Sequence, residues 1–337
     1  MFTEESLRKY PILIKVFMGL PADVFWEMIA KMEVRYPEYR RERLRKKKKE
    51  RERAIGGGRK PDLSLVIRVA LVLTCLRLHI PQIAVACMYQ DATQSDVSRD
   101  LRRLLPLLKE VLPCPAIWEM VEEGQELTEE EVLAVEQLSD GRVLIDATEQ
   151  QIYRPGKDNE ERKKYFSGKK KQFTLKTQFA TDGEHHIEGI SVGAPGATSD
   201  IKLSDELATV GRLPDGCEAQ ADKGYQGLDE RVSLVTVQNL ETGEQEEMPR
   251  LIVKTPFKKP KGGELSEEQK ACNRAISQVR VRVEHCIGWV KNWAIIATRL
   301  RCAHSIYTEV MQVVCGLVNA QTQRWQATRK AKSQATS

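Results

Sequence analysis

The spacing of apolar residues changes at residue 141, and no single layer of helices can absorb that change. In "RVLIDATEQQI", Val143, Leu144 and Ile145 run straight into Asp146, the pattern of a buried strand that ends in a carboxylate. In "KQFTLKTQFATDGEHHIEGISVG", Phe173, Leu175, Thr177 and Phe179 alternate with polar residues up to Asp182-Gly183, and residues 187–192 resume the apolar pattern. Alternation about Asp-Gly predicts a β-hairpin. "SDIKLSDELATV" then predicts a short helix capped near Ser199, and "CEAQADKGYQG" a strand that ends at Asp222. Ser266 and Gln269 form a capping box for a last long helical region. Strand, hairpin, helix, strand, helix is the order of an α/β core with a mixed sheet and flanking helices.

Upstream the pattern is helical. "PADVFWEMIAKMEV" places Val24, Phe25, Met28, Ile29 and Met32 on one face. A long apolar helix is predicted over about 64–78, Pro81 stands in the first turn of a short second helix, and "QSDVSRDLRRLLPLLKEV" supplies a third. The last two read as a helix-turn-helix, with Thr93 or Ser95 capping the second helix and Val97, Leu101, Leu104 and Leu105 packed inward. Gln94, Ser98, Arg99, Arg102 and Arg103 then face outward, the residue types that reach phosphates and base edges in a major groove. The same pattern also suits a plain helical bundle with a polar surface.

The divisions expected are a helix and basic linker over 1–60, an all-α helix-turn-helix domain over 61–112, and an acidic connector over 113–140. The α/β domain follows over 141–305, then a C-terminal helix and polar tail over 306–337. The linker holds about a dozen Lys and Arg in residues 40–60 and ends in Gly56, Gly57 and Gly58, a joint. It either attracts polyanions or pairs internally through Glu42, Glu50 and Glu52.

Hydrophobic content of 41% and charged content of 30% describe a chain able to bury a sizeable core, and the net charge of +5 is modest. Eight cysteines form no CxxC and no zinc spacing, a pattern suited to reduced thiols in cytoplasm. The longest apolar run carries Arg68 and Arg77 and is shorter than the about 20 residues that span a bilayer.

The last helix carries the most informative stripe. Ile276, Val279, Val283, Ile287 and Val290 form its apolar face, while Arg280, Glu284, Gly288 and Lys291 lie on an adjacent one. An exposed Arg–Glu pair four residues apart contributes only about 0.2–0.5 kcal/mol, so solvated surface is one explanation. The other draws in Asp146 and Asp222, which together with Glu284 would hold two divalent cations about 3.5–4 Å apart and clamp an in-line phosphoryl displacement. Such a hard oxygen donor set suits Mg²⁺. Arg280 and Lys291 would neutralise phosphates, and Gly288 would leave room for a sugar-phosphate backbone. Glu149 is expected to position the hairpin or DNA, and Asp200 to start a helix. His185 and His186, with no carboxylate or cysteine at ligand spacing, are expected to be structural or solvated, and His285 to point away from any ions. Lys169, Lys170 and Lys171 could touch DNA or form a solvated turn.

"LIDATEQQIYRP", "YFSGKKKQFTLKTQ", "ADKGYQG", "KTPFKKPKGGELSEEQKACNRAISQVRVRVEH" and "IGWVK" together resemble the DDE transposases of bacterial insertion sequences. The resemblance is to the insertion-sequence-five branch allied to PIF/Harbinger elements, and it extends to the predicted helix-turn-helix. It implies a ribonuclease-H-like core in which Asp146, Asp222 and Glu284 bind Mg²⁺ or Mn²⁺, two ions per site. The family's C-terminal signature is Tyr, two residues, Arg, three residues, Glu, six residues, Lys. Arg280, Glu284 and Lys291 fit it, whereas Ser277 stands where the signature has Tyr and reaches less far toward a phosphate. The implied activity is binding of terminal inverted repeats, DNA cleavage and strand transfer. A retired, domesticated DNA-binding regulator and a nuclease without joining activity are the alternatives. Double-stranded DNA, a homodimer or higher assembly on it, no membrane, and a bacterial cytoplasm with nucleoid association complete what the resemblance implies.

Overall fold

The computed structural model describes all residues except 47–61, 123–124, 157, 239–244 and 337. The expected basic linker from residue 47 onward and its Gly56–Gly58 joint therefore lie outside the described residues. The chain forms two compact units, one of Met1–Cys114, Val290–Thr298 and Glu309–Ser337, the other of Pro115–Trp289 and Arg299–Thr308. Among the described residues no helix is long and apolar enough to cross a membrane.

The first unit begins with helices α1 (Glu4–Lys9), α2 (Pro11–Leu13), α3 (Ala22–Lys46), α4 (Leu65–Leu78), α5 (Gln82–Cys87) and α6 (Gln94–Val111). Helix α3 is longer than its apolar pattern predicts, because its polar continuation stays helical as far as Lys46. Pro81 is the N-cap of α5 and not a first-turn residue. Thr93 caps α6 through a capping box, its hydroxyl accepting from the Asp96 N–H at 3.3 Å while the Asp96 carboxylate accepts from the Thr93 N–H at 3.0 Å. Helix α6 packs on α3, α4 and α5 with Val97, Leu101, Leu104 and Leu105 buried. Gln94, Arg99 and Arg102 are exposed, and Ser98 and Arg103 half-buried.

Helix α4 is buried from Val66 to Leu76, Arg68 included. A charge in such a place needs a matched partner. Arg68 finds it in Asp100 of α6, donating from Nε at 2.8 Å and from Nη2 at 2.7 Å, with Tyr36 of α3 accepting from Nη1 at 2.5 Å. One buried ion pair therefore ties three helices together.

The second unit is built on strands β1 (Ala116–Trp118), β2 (Arg142–Gln151), β3 (Phe166–Ser167), β4 (Gln172–Thr181), β5 (Ile187–Ser191), β6 (Ala194–Pro195), β7 (Glu218–Ala221), β8 (Leu234–Gln238), β9 (Gln245–Pro249) and β10 (Ile252–Lys254). Its helices are α7 (Asn159–Tyr165), α8 (Asp200–Glu206) and α9 (Glu267–Lys291), the last of which continues into the first unit's Val290–Thr298 segment. Helices α10 (Ala294–Ala297) and α11 (Tyr307–Thr336) complete the chain. The main sheet runs β1-β5-β4-β2-β7-β10, with β3 and β6 added to β4. Strands β5, β4 and β2 pair antiparallel, while β2, β7 and β10 are parallel, as are β1 and β5. The expected mixed α/β sheet and Asp-Gly hairpin are both present. The edge strand β1 is an addition from the acidic connector, held there because Trp118 is buried. Val143, Ile145, Ala219 and Ala221 share a core with Leu203 and Leu207 on and just after α8. By alternation, Leu144 and Asp146 point to the other face.

Removing one partner of the buried pair leaves the other charge stranded. Asp100→Ala is expected to lower the unfolding free energy by about 3–5 kcal/mol. The double variant Arg68→Met/Asp100→Leu should recover most of that loss, and urea denaturation of the three proteins measures both effects.

Candidate active site

Strand register assembles the site. Strands β2 and β7 pair in parallel as far as Ile145 opposite Ala221, so the next residues, Asp146 and Asp222, emerge side by side. Asp146 does not end its strand, as the apolar run suggested. Strand β2 continues to Gln151 because its other edge stays paired with β4, and the acid marks the point where β7 leaves. The Asp146 carboxylate accepts from the Ala147 N–H at 2.8 Å, and that of Asp222 from the Lys223 N–H at 2.6 Å. Gly224 keeps the following turn tight, since a Cβ there would fall 2.4 Å from Asp200 Oδ2.

Helix α9 brings the third acid. The expected capping box at its start is formed, with Gln269 Oε1 accepting from the Ser266 N–H at 3.0 Å and Ser266 Oγ from the Gln269 N–H at 3.1 Å. Ile276, Val283, Ile287 and Val290 are buried, as is Cys286, while Val279 is half-buried. This packing points the adjacent stripe at the ends of β2 and β7. Arg280 lies among three acids, its Nη2 3.4 Å from Asp146 Oδ2 and 3.9 Å from Glu284 Oε1, its Nη1 3.5 Å from Asp222 Oδ1. The arginine side chain is 8% exposed, against 21% for Asp146, 39% for Asp222 and 56% for Glu284. Arg280, read in the sequence as neutralising phosphates near the scissile bond, is turned toward the three carboxylates, which in one place need a cation between them.

Burial pushes the Asp146 carboxyl up to about 6, and the neighbouring Asp222 and Glu284 push the same way, while the Ala147 N–H and Arg280 oppose them. Tyr225, from the "ADKGYQG" motif, is wholly buried, and its hydroxyl has no hydrogen-bond partner among the described residues. Burial and then Asp200, Asp146 and Asp222 hold that phenol well above its ordinary range. Its place beside the acids is not visible in the sequence, where Tyr225 looks like an ordinary core residue.

A polar pocket adjoins the acids, lined among others by Asp146, Asp222, Glu149, Lys169, Lys176 and Asp200. Glu149 accepts from Thr174 Oγ1 at 2.8 Å, in keeping with a positioning role. Asp200 opens α8 as expected, but its carboxylate also accepts from Lys176 Nζ at 2.7 Å. Lys170 and Lys171 stand exposed on the turn before β4, and Lys169 alone of the three reaches the pocket wall. Ser277 is exposed on α9 one turn before Arg280, and Lys291 is half-buried at that helix's end. An added Cβ at Gly288 would meet nothing within 4 Å, so the helix surface beyond Glu284 is open. His285 stacks on His185 at 5.7 Å and on Trp289 at 6.2 Å, away from the acids. His186 does have a carboxylate partner, Glu188 at 2.8 Å, two residues on along β5, where period-two spacing returns to the same face.

Among the described residues no three of His, Cys, Asp or Glu are drawn together at metal-holding distances. The three carboxylates surround the guanidinium and not one another. Their chemistry nevertheless fits a divalent ion, since all are hard oxygen donors converging on a point where a positive charge already sits.

Residues 145–319 match the DDE superfamily endonuclease family, a span that includes all three acids and Arg280. A protein of Microchaete diplosiphon named "Probable transposase for insertion sequence element IS702" is 32% identical over 188 residues, which cover 52% of this chain and 56% of that protein. The chain thus spans little more than half the length of the relative it matches. No solved structure matches. The family implies a ribonuclease-H-like α/β core and the use of divalent metal ions, and the mixed sheet with its flanking helices is of that kind. With the match covering half of its residues, the chain belongs to the DDE superfamily endonucleases.

Proposed function

We propose that this protein is a transposase of the insertion-sequence-five branch, which binds terminal inverted repeats, cuts DNA and joins the freed end to a target. The observation that carries this reading is the convergence of Asp146, Asp222 and Glu284 on one cationic point at the ends of β2 and β7. On this reading the three carboxylates hold two Mg²⁺ or Mn²⁺ ions, which when bound neutralise charge on the attacking and leaving oxygens.

The chain's own residues do the rest. Strands β2 and β7 fix two carboxylates on a rigid sheet, and α9 presents the third from a packed helix, so the donors are positioned before substrate arrives. The open surface at Gly288 leaves room for a sugar-phosphate backbone beside Glu284, and Lys169 on the pocket wall supplies charge for a neighbouring phosphate. Water displaces one phosphodiester oxygen and leaves a 3′-hydroxyl. That hydroxyl then displaces an oxygen in target DNA, one P–O bond forming as one breaks. Neither step needs a covalent bond to the protein.

Helices α5 and α6 are proposed as the helix-turn-helix that reads the repeats. Exposed Gln94, Arg99 and Arg102, with Ser98 and Arg103 at the margin, form its outward face. Two ends must be held together for joining, so a homodimer or larger assembly on DNA follows from the same reading, and the bacterial cytoplasm is where the DNA lies.

A strand-specific assay on DNA flanking the gene, with Mg²⁺, Mn²⁺ or Ca²⁺, tests the whole reading. Asp222→Ala should cut at least about 1,000-fold more slowly, as expected for loss of electrostatic stabilisation of the transition state, and keep its DNA affinity within about threefold. Binding lost in step with cutting would argue against a ligand role for Asp222. Cutting without joined products would favour the nuclease alternative, and binding without cutting the retired regulator. Arg99→Ala/Arg102→Ala should weaken binding and reduce the slope of log affinity against log salt by about 2, one for each lost phosphate contact. An unchanged slope would remove α6 from the DNA interface.

A further inference from the structure

Two of the buried arginines that face carboxylates, Arg68 and Arg280, are held very differently. Arg68 meets Asp100 with two hydrogen bonds of 2.7 and 2.8 Å and has a third partner in Tyr36, a fully made pair. Arg280 faces three carboxylates, yet none is nearer than 3.4 Å, and its Nε has no hydrogen-bond partner among the described residues. The contacts to Asp146 and Asp222, at 3.4 and 3.5 Å, are hydrogen bonds longer than the usual range of about 2.7–3.2 Å, and that to Glu284, at 3.9 Å, is beyond hydrogen-bonding reach. The guanidinium is held there by charge and by two long hydrogen bonds, in place of the short pair that fixes Arg68. A cation held so loosely among three acids is one that another cation can displace.

We propose that Arg280 is an exchangeable counter-ion that keeps the three carboxylates together before a divalent ion arrives and gives up its place when one binds. The inference rests on the reading of Asp146, Asp222 and Glu284 as the ion's ligands. Without the arginine, three like charges would repel across the ends of β2, β7 and α9, which would weaken the ion-free protein. With it, an entering dication meets a positive charge already in place, and its affinity is lowered by the cost of moving that charge. Arg280 thus tunes the affinity of the site for divalent ions as well as its assembly. The displaced guanidinium remains on α9 one turn before Glu284, beside the open surface, where a DNA phosphate could receive it.

Mn²⁺ binding to the full chain, followed by electron paramagnetic resonance without DNA, tests this directly, alongside melting temperatures in EDTA and in Mn²⁺. Arg280→Gln should bind Mn²⁺ at least tenfold more tightly than wild type, melt lower in EDTA, and gain more in melting temperature from Mn²⁺. Arg280→Lys, which retains the charge, should stay within about threefold of wild-type affinity, or about 0.7 kcal/mol. Circular dichroism in EDTA establishes that both variants are folded. Should Arg280→Gln unfold, the Lys variant still decides: Mn²⁺ binding weakened more than tenfold with the charge kept overturns the proposal. Equal or weaker Mn²⁺ binding by a folded Arg280→Gln overturns it too, as does a loss of melting temperature that Mn²⁺ does not restore. Asp222→Asn separates this from the ligand reading. If wild type and Asp222→Asn bind Mn²⁺ equally, or neither wild type nor Arg280→Gln binds it, the ligand assignment fails and the proposal with it.

Discussion

Carboxylates gathered in one place repel one another, and each loses hydration as the others approach. Everything at the site answers that constraint. The backbone N–H groups of Ala147 and Lys223 point at Asp146 and Asp222, and Arg280 supplies a positive charge within 4 Å of all three acids. Even so, burial leaves the Asp146 carboxyl raised to about 6, so the compensation is incomplete. A fold that accepts this cost in its sheet must recover stability elsewhere, and it does so through the apolar core around Val143, Ile145, Ala219 and Ala221 on the opposite face of the same strands. The site and the core are two sides of one sheet.

The sheet topology explains why the acids meet. A parallel pair brings like ends of strands together, so residues that leave β2 and β7 in the same direction emerge as neighbours. An antiparallel partner on the other edge of β2 lets that strand continue past the point where β7 stops, which exposes Asp146 along the strand and not at a frayed end. Helix α9 then needs only its apolar face against the core to aim Arg280 and Glu284 at that gap. The family match over residues 145–319 and the likeness to a transposase of Microchaete diplosiphon agree with the chemistry such a gap supports.

Much of this was legible in the chain. Period-two alternation around Asp182-Gly183 gave the hairpin, the Ser266–Gln269 spacing gave the start of α9, and its step of three and four gave the buried face. The Arg280–Glu284 spacing alone could be read as one salt bridge among many, and only together with Asp146 and Asp222 did it point to an ion site. Other features escaped. Strand β1 was hidden in an acidic connector, because three residues are too few for a period and its reason to exist is the burial of Trp118. The Arg68–Asp100 pair was missed because its members lie 32 residues apart on different helices. That Arg280 stands between Asp146 and Asp222 was not legible, since a sequence shows charge and spacing but not which neighbour across the fold will claim that charge.

The sequence by itself determined where the β4–β5 hairpin and the starts of α6, α8 and α9 lie and which faces they bury, because those depend on spacings within a few residues. It also fixed the kinds of side chain available to the site. Tertiary structure decided which acids become neighbours, through the parallel register that ends at Ile145 and Ala221. It also decided that a single arginine would stand among them, because the charge of each group is answered only by partners that folding brings from 58 and 134 residues away.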